Sequence, residues 1–235
     1  ALVIAAGSSK KIWELSKSLG HSIVEPVPSL FTFNIKDERI KDLLGISVPN
    51  ASVKLLDTKL EAFGPLLITH WGLSGPAVLK LSAFGALEFA KRDYKFQIEI
   101  NFIKQNIEDC FNTLKVIKQD LAKKTVFKST QFDLPKRLWH KLVLASSIKE
   151  ETRWADLNKE QLESLSGQLT QAIFNVNGKS TFKEEFVTAG GVNLKEVNFK
   201  TFESKYIKNL YFAGEVLNID AVTGGFNFQN AWTAK

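Results

Sequence analysis

The spacing of apolar residues changes along this chain, and each change marks a different kind of structure. Ala1 to Ala6 is a continuous apolar run closed by Gly7, short enough for a strand buried on both faces. Lys11 to Leu19 then reads as a helix whose apolar face carries Ile12, Leu15 and Leu19, with Gly20 as its stop. His21 to Val24 suits a second strand, ended by Pro26 and Pro28. From Ser29 to Ile100 the period drops to two. Phe31, Phe33 and Ile35 alternate with polar positions, as do Val53 and Leu55, and Phe96, Ile98 and Ile100. Turn signals at Asn50 and Gly64-Pro65 separate these runs, and Leu79 to Lys91 interrupts them with one helical segment. An antiparallel, barrel-like unit is the simplest reading.

Between 104 and 174 the period returns to that of a helix, with Ile107, Phe111, Leu114, Ile117 and Leu121 on one face. Asp133 is placed to cap a second helix with Pro135 in its first turn, and Asn158 to cap a third with Gln161 completing a capping box. Phe186 and Val187 lead into Thr-Ala-Gly-Gly-Val, where adjacent glycines suggest a loop of close backbone approach, and Tyr211 to Ala213 is a short strand. The pattern predicts a nested α/β chain. An α/β domain occupies residues 1–25 and 193–235, a β-barrel-like insert 26–103, a helical insert 104–176, and 177–192 returns through the barrel-like part.

Composition narrows the picture only slightly. Among 235 residues, 44% are hydrophobic and 24% charged, which is ordinary for a folded water-soluble chain. The net charge of +6 is mild. Its local concentration is in 104–150, where ten Lys and Arg face five Asp and Glu without a stacking pattern of aromatics. A single cysteine, Cys110, excludes an internal disulfide and fits a reducing, cytoplasmic compartment. It has no partner at metal-ligand spacing, so no metal site is expected. No apolar run approaches the length of a membrane span, and no charged segment precedes the first apolar run as in a signal peptide. The chain opens inside what reads as a strand and contains no methionine, so it is expected to be part of a longer protein.

The chemistry concentrates at the C-terminal end. A strand closing on Gly214-Glu215 puts a carboxylate at its carboxyl end, where open α/β sheets bind ligands and where it can accept hydrogen bonds from ribityl or sugar hydroxyls. Thr223-Gly224-Gly225 would open a helix through Asn227, Gln229 and Ala231. Its free N–H groups and positive dipole end suit an electron-rich group such as the N1 and C2 carbonyl region of a reduced flavin.

Three segments, LYFAGEVLNIDAVTGGFNFQNAW, FVTAGGVNLKEV and LLITHWGLSGPAVL, carry a resemblance. They resemble bacterial flavoproteins of the two-dinucleotide-binding-domain class that include 3-dehydro-bile-acid reductase and aminoacetone oxidase. The resemblance implies a partial FAD-binding Rossmann-type domain interrupted by a β-barrel-like domain and a small helical insertion. It also implies an FAD-dependent oxidoreductase with NAD(P)H as candidate electron donor and a small organic substrate. Carried over by position, the cofactor-binding residues are Gly214 and Glu215, then Thr223, Gly224, Gly225, Phe226 and Asn227 beside the isoalloxazine. Ala6 and Gly7 stand at the family's Ala-Thr-Gly position, with Ala6 in place of the threonine. Thr188, Gly190 and Gly191 would line the flavin's substrate face. The usual Gly-x-Gly-x-x-Gly loop that grips the pyrophosphate is absent, which weakens the expected hold on FAD, and Ser8-Ser9-Lys10 replaces a longer glycine-rich loop.

Other candidates are weaker. His70, in Thr-His-Trp-Gly-Leu-Ser-Gly-Pro, suits a general acid or a substrate-orienting group, and a structural role in its loop suits it equally. His21 and His140 read as surface or packing residues. Ser74 with His70 lacks a nucleophile-elbow sequence. The competing function is a non-enzymatic nucleic-acid-binding or scaffold protein using the basic helical unit. The flavin reading makes a nucleic-acid partner the lesser expectation.

Overall fold

The computed structural model describes residues 1–180 and 187–233. In chain order the elements are β1 (Leu2–Ile4), α1 (Lys10–Ser18), β2 (Ile23–Ser29), β3 (Thr32–Asn34), β4 (Ser47–Leu55), β5 (Glu61–Ile68) and β6 (Gly72–Ser74). After them come α2 (Pro76–Phe84), α3 (Ala86–Lys91), β7 (Lys95–Asn101), α4 (Ile107–Asp120), α5 (Lys136–Ala145) and α6 (Lys159–Thr170). The chain closes with β8 (Ala172–Asn177), β9 (Lys179–Ser180), β10 (Val187–Val192), β11 (Val197–Asn198), β12 (Glu203–Ser204), β13 (Leu210–Phe212) and α7 (Phe226–Thr233). Two compact units result. The first comprises Ala1–Phe31, Ser82–Lys91 and Thr181–Lys235, and the second Thr32–Leu81 and Arg92–Ser180.

In the first unit a sheet of order β1-β13-β12-β11 is parallel at β1–β13 and antiparallel elsewhere. Its core gathers Ile4, Trp13, Val192, Leu210, Phe212 and Val216. The buried face of α1 differs from the expected one: Trp13 and Ser16 are buried, whereas Leu15 and Leu19 are 44% and 36% exposed. The reason is polar as much as apolar. The Trp13 indole donates to the Val216 carbonyl at 3.0 Å, which fixes the helix's rotation. Strand β2 also departs from expectation, because it runs through Pro26 and Pro28 instead of ending at them. Among the described residues it pairs only with β10, so prolines lacking an N–H are tolerated, and the register shifts between Ala189 and Gly191. The Thr-Ala-Gly-Gly-Val segment is therefore a bulged strand and not a loop. Phe186, read with it in the sequence, lies outside the described residues.

A buried polar network ties this unit together. The side chain of His21 is fully buried, with Nδ1 3.3 Å from Oε2 of Glu196 and Nε2 3.0 Å from Oγ of Ser204. Glu196 also accepts from the Ser22 N–H at 2.9 Å and from the Ser22 hydroxyl. Burial pushes the Glu196 carboxyl up, but the bonds from Ser22 and His21 outweigh it and leave the pKa below its ordinary value. A lowered folded-state pKa stabilises above the unfolded value and loses that contribution as pH falls through the folded one. Acid unfolding of Glu196→Gln should therefore show a shallower loss of stability below about pH 4.5 than the parent, followed by circular dichroism across an acid series. Parallel acid limbs would show that Glu196 contributes nothing to the pH dependence.

The second unit is built on a seven-stranded antiparallel sheet of order β8-β7-β4-β5-β6-β3-β9. Its alternating residues face inward as their spacing requires: Phe33, Val53, Leu55, Ile98 and Ile100 are each 0% exposed. The single helical segment expected at 79–91 is two helices, α2 and α3, broken at Gly85. Helices α4, α5 and α6 form the helical part. Trp139 and Trp154 are fully buried there, donating to the Val126 carbonyl at 2.9 Å and the Ser129 hydroxyl at 2.6 Å. Asn158 caps α6 in a capping box with Gln161, as its sequence requires. Asp133 does not cap α5. Pro135 takes that position, and Asp133 itself is left-handed at φ +53°.

Candidate functional site

The pairing of β1 with β13 sets the site. Because the two strands are parallel, with Ile4 opposite Phe212, both chains leave the sheet at the same edge. One leaves through Ala6 and Gly7, the other through Gly214 and Glu215. Gly214 opens a short 3-10 turn at φ +75°, a conformation that glycine adopts without strain. The turn aims Glu215 across the edge. Its Oε1 accepts the Thr188 N–H at 2.7 Å, and its Oε2 lies 4.0 Å from where a Cβ on Gly7 would stand. Ala6 is exposed and Gly7 half-buried beside it.

The glycines of β10 serve a different purpose from those at this edge. A Cβ on Gly190 would lie 2.6 Å from the Glu25 carbonyl oxygen, and one on Gly191 2.5 Å from that of Val216. Missing side chains there allow backbones to approach. Thr223, Gly224 and Gly225, by contrast, are exposed ahead of α7, and no atom lies within 4 Å of a Cβ built on Gly225 at φ +85°. Asn227 holds this loop in place. Its side chain accepts from the Ala221 N–H at 2.9 Å and donates to the Ala221 carbonyl at 3.0 Å. Phe226, Phe228 and Trp232 stand 56%, 76% and 79% exposed on α7.

Beside Thr188, a cavity of about 460 Å³ lies between α1 and β2, walled by Trp13, Pro26, Val27 and Pro28 with Ser8 and Lys10 at its rim. Asp220 is a nearby polar group that the sequence reading passed over. It accepts from the Ser29 hydroxyl at 2.9 Å, and burial pushes its carboxyl above the ordinary carboxylate value despite that bond. The available signal was its place inside the Gly-Glu to Gly-Gly segment.

His70 belongs to the second unit, on the turn between β5 and β6. It is exposed, with its ring edge-on to Trp71 at 5.1 Å. It borders a cavity of about 650 Å³ with Lys36, Lys41 and Asp37. Asp37 is already committed: burial raises its carboxyl, but the Arg39 guanidinium at 2.7 Å outweighs this and holds it below the usual value. Ser74 accepts from the Thr32 hydroxyl at 3.0 Å. His140 stacks on Phe127 at 3.7 Å. Cys110 is fully buried, and burial pushes its thiol up to about 11, which makes it a poor nucleophile near neutrality. Among the described residues no group of His, Cys, Asp and Glu is arranged for a metal, and no helix is long and apolar enough to cross a membrane.

Residues 27–187 match the family described as HI0933-like protein barrel and H2TH domain. The chain is 31% identical over 225 residues to a ribosomal RNA dihydrouridine synthase of Haemophilus influenzae, covering 94% of this chain and 53% of that protein. It is 28% identical over 235 residues to a 3-dehydro-bile acid delta(4,6)-reductase of Clostridium scindens, covering 96% and 56%. A ribosomal RNA dihydrouridine synthase of Escherichia coli is 28% identical over 233 residues, covering 97% and 55%. The chain thus spans about half the length of the curated relatives it matches. With the match spanning the whole seven-stranded sheet and the helical part, this chain belongs to the HI0933-like family.

Proposed function

We propose that this chain is the flavin-contacting and substrate-bearing part of an FAD-dependent oxidoreductase. The observation that carries the reading is the single sheet edge at which Gly7 and the Gly214-Glu215 turn meet, with Glu215 held by Thr188. The first unit would then be part of a Rossmann-type FAD domain, and the sheet and helices of the second unit its inserted barrel-like and helical domains.

The residues fit such a cofactor in two places. Glu215 retains a second carboxylate oxygen that can accept from a ribityl hydroxyl, beside a glycine at position 7. A Cβ built on Gly224 would meet the Phe226 ring at 3.1 Å, but Gly225 has open space around it, so on that side a planar group can approach the N-terminal N–H groups of α7. A bound flavin would supply hydride transfer, with NAD(P)H as the proposed donor. This chain's own residues position and tune. Asn227 fixes the loop that carries the two glycines. Asp220, with its raised pKa, can hold a proton closer to neutrality than an ordinary aspartate.

The names of the relatives share one kind of chemistry. A dihydrouridine synthase and a delta(4,6)-reductase both add hydrogen across a carbon–carbon double bond. We take that as the reaction class here. Glu215→Ala should weaken FAD binding about tenfold, the worth of one charge-assisted hydrogen bond, measured by equilibrium dialysis of the purified chain with FAD. Binding as tight as the parent's would remove Glu215 from the site. No binding by either protein even at millimolar FAD in the dialysis would remove the flavin reading.

A further inference from the structure

We infer that the groove between α4 and α6 binds the phosphate backbone of RNA, with an unpaired base against Phe111. The inference rests on the proposed reductase only for what the bound strand would deliver, and binding itself is independent of flavin. The groove measures about 600 Å³ and lies within the second unit. Its floor is apolar, formed by Ala122, Ala155 and Leu162, and its rim carries Lys115, Lys118 and Lys159.

The arrangement follows from helical spacing. Phe111, Lys115 and Gln119 recur every four residues along α4, with Ala122 just past its end, so they form one stripe bordering the groove. The Lys115 ammonium stands 5.6 Å from the Phe111 ring centroid, which pairs a cation with a half-buried aromatic face at one spot. Lys118 is fixed by donating to the Leu157 carbonyl at 2.5 Å, leaving its charge in the groove wall. Lys159 pairs with Glu163 at 3.5 Å, but these side chains are 75% and 54% exposed, so the pair is weak and Lys159 can exchange it for a phosphate.

Charge and shape both select the occupant. Three lysines around an apolar floor suit a polyanion that also offers a flat apolar surface, and single-stranded RNA supplies phosphates and unstacked bases together. Gln119 adds an amide able to donate and accept at a base edge. Two of the relatives named above act, by name, on ribosomal RNA. A bile acid offers an apolar body and a single carboxylate, so it would use the floor but leave most of the lysine rim unused.

The test uses the intact purified chain and a fluorescein-labelled, uridine-rich hairpin RNA, titrated by anisotropy at several salt concentrations. Lys115→Glu/Lys159→Glu is compared with Lys200→Glu/Lys208→Glu, an equal charge change at exposed lysines of the first unit. The groove variant should lose about tenfold or more in affinity, and its log–log salt slope should fall by roughly 0.7 per lost phosphate contact, while the control keeps nearly the parent slope. Phe111→Leu should weaken binding to the unpaired loop more than to a fully paired duplex. Equal losses in both charge variants, or no RNA binding by the parent, would overturn the inference. Unchanged thermal melts rule out misfolding, since both groove lysines are exposed. FAD dialysis of the same samples separates the two readings: flavin binding without groove-dependent RNA binding defeats only this inference, and the reverse defeats only the flavin reading.

Discussion

Gly72→Ala is expected to destabilise the second unit by about 3 kcal/mol or more, at the upper end of single substitutions. A methyl at this position would stand 2.3 Å from the Phe33 carbonyl oxygen and 2.5 Å from the Ile35 nitrogen. Both contacts are with backbone, so no side chain can swing away. Gly72 also lies at φ +147°, outside the regions that L-residues favour. Relief requires β3 to move off β6, where Phe33 pairs with Leu73 and Asn34 with Gly72. That movement would expose Phe33 and Leu73, both 0% exposed, and break the edge-to-face contact of Phe33 with Phe96 at 5.2 Å. Gly45→Ala is the matched comparison. Gly45 lies at φ +83° with nothing within 4 Å of a built Cβ, so it carries conformational strain without a clash and should cost only about 1 kcal/mol. Urea denaturation of both variants measures the difference. Equal losses would mean that dihedral strain, and not the close approach of β3, explains Gly72.

Gly72 also shows why the Thr-His-Trp-Gly-Leu-Ser-Gly-Pro segment is hard to interpret from sequence. Its glycines look placed to frame a catalytic histidine, yet Gly75 too has a strand behind it, with a built Cβ 2.8 Å from the Pro65 carbonyl oxygen. Packing accounts for both glycines. The role of His70 must be tested by itself.

Alternation carried the second unit because a strand with one buried face obeys period two regardless of its partners, as Phe96, Ile98 and Ile100 do. The first unit was less legible for the opposite reason. Its short elements take their orientation from single long-range bonds, such as the Trp13 indole to Val216, that no local pattern encodes. Capping shows the same contrast on a smaller scale. The capping box of Asn158 and Gln161 is a local reciprocal bond and was readable, whereas Asp133 was displaced by the fixed φ of Pro135, whose ring takes the position ahead of α5. At the candidate site, Gly214-Glu215 could be read as the end of a strand. That Glu215 would be held by the Thr188 N–H, and that Gly7 would stand beside it, depended on the parallel pairing of strands more than 200 residues apart.

Gly191→Ala and Gly225→Val should separate scaffold from site. A Cβ on Gly191 would stand 2.5 Å from the Val216 carbonyl oxygen and 2.9 Å from the Leu217 carbonyl carbon, at φ +122°. Val216 accepts the Trp13 indole, and the Val192 carbonyl accepts the Asn218 N–H at 3.0 Å, so displacing this segment disrupts the core of the first unit. The expected cost is about 3 kcal/mol or more, with FAD affinity falling as a secondary effect because Val216 adjoins Glu215. Gly225 is the reverse case. Its built Cβ meets nothing within 4 Å and α7 buries none of its residues, so Val there costs about 1–2 kcal/mol of dihedral strain. The valine side chain would nonetheless fill the open space through which a flavin approaches the N–H groups of α7. FAD affinity should therefore fall at least about tenfold in Gly225→Val without a comparable loss of stability, roughly 1.4 kcal/mol of binding free energy. Dialysis and urea denaturation on the same two proteins give the answer. If Gly225→Val keeps the parent's FAD affinity, the cofactor does not lie against this helix start. If Gly191→Ala melts with the parent, the close approach of β10 to the Gly214-Glu215 turn does not hold that turn in place.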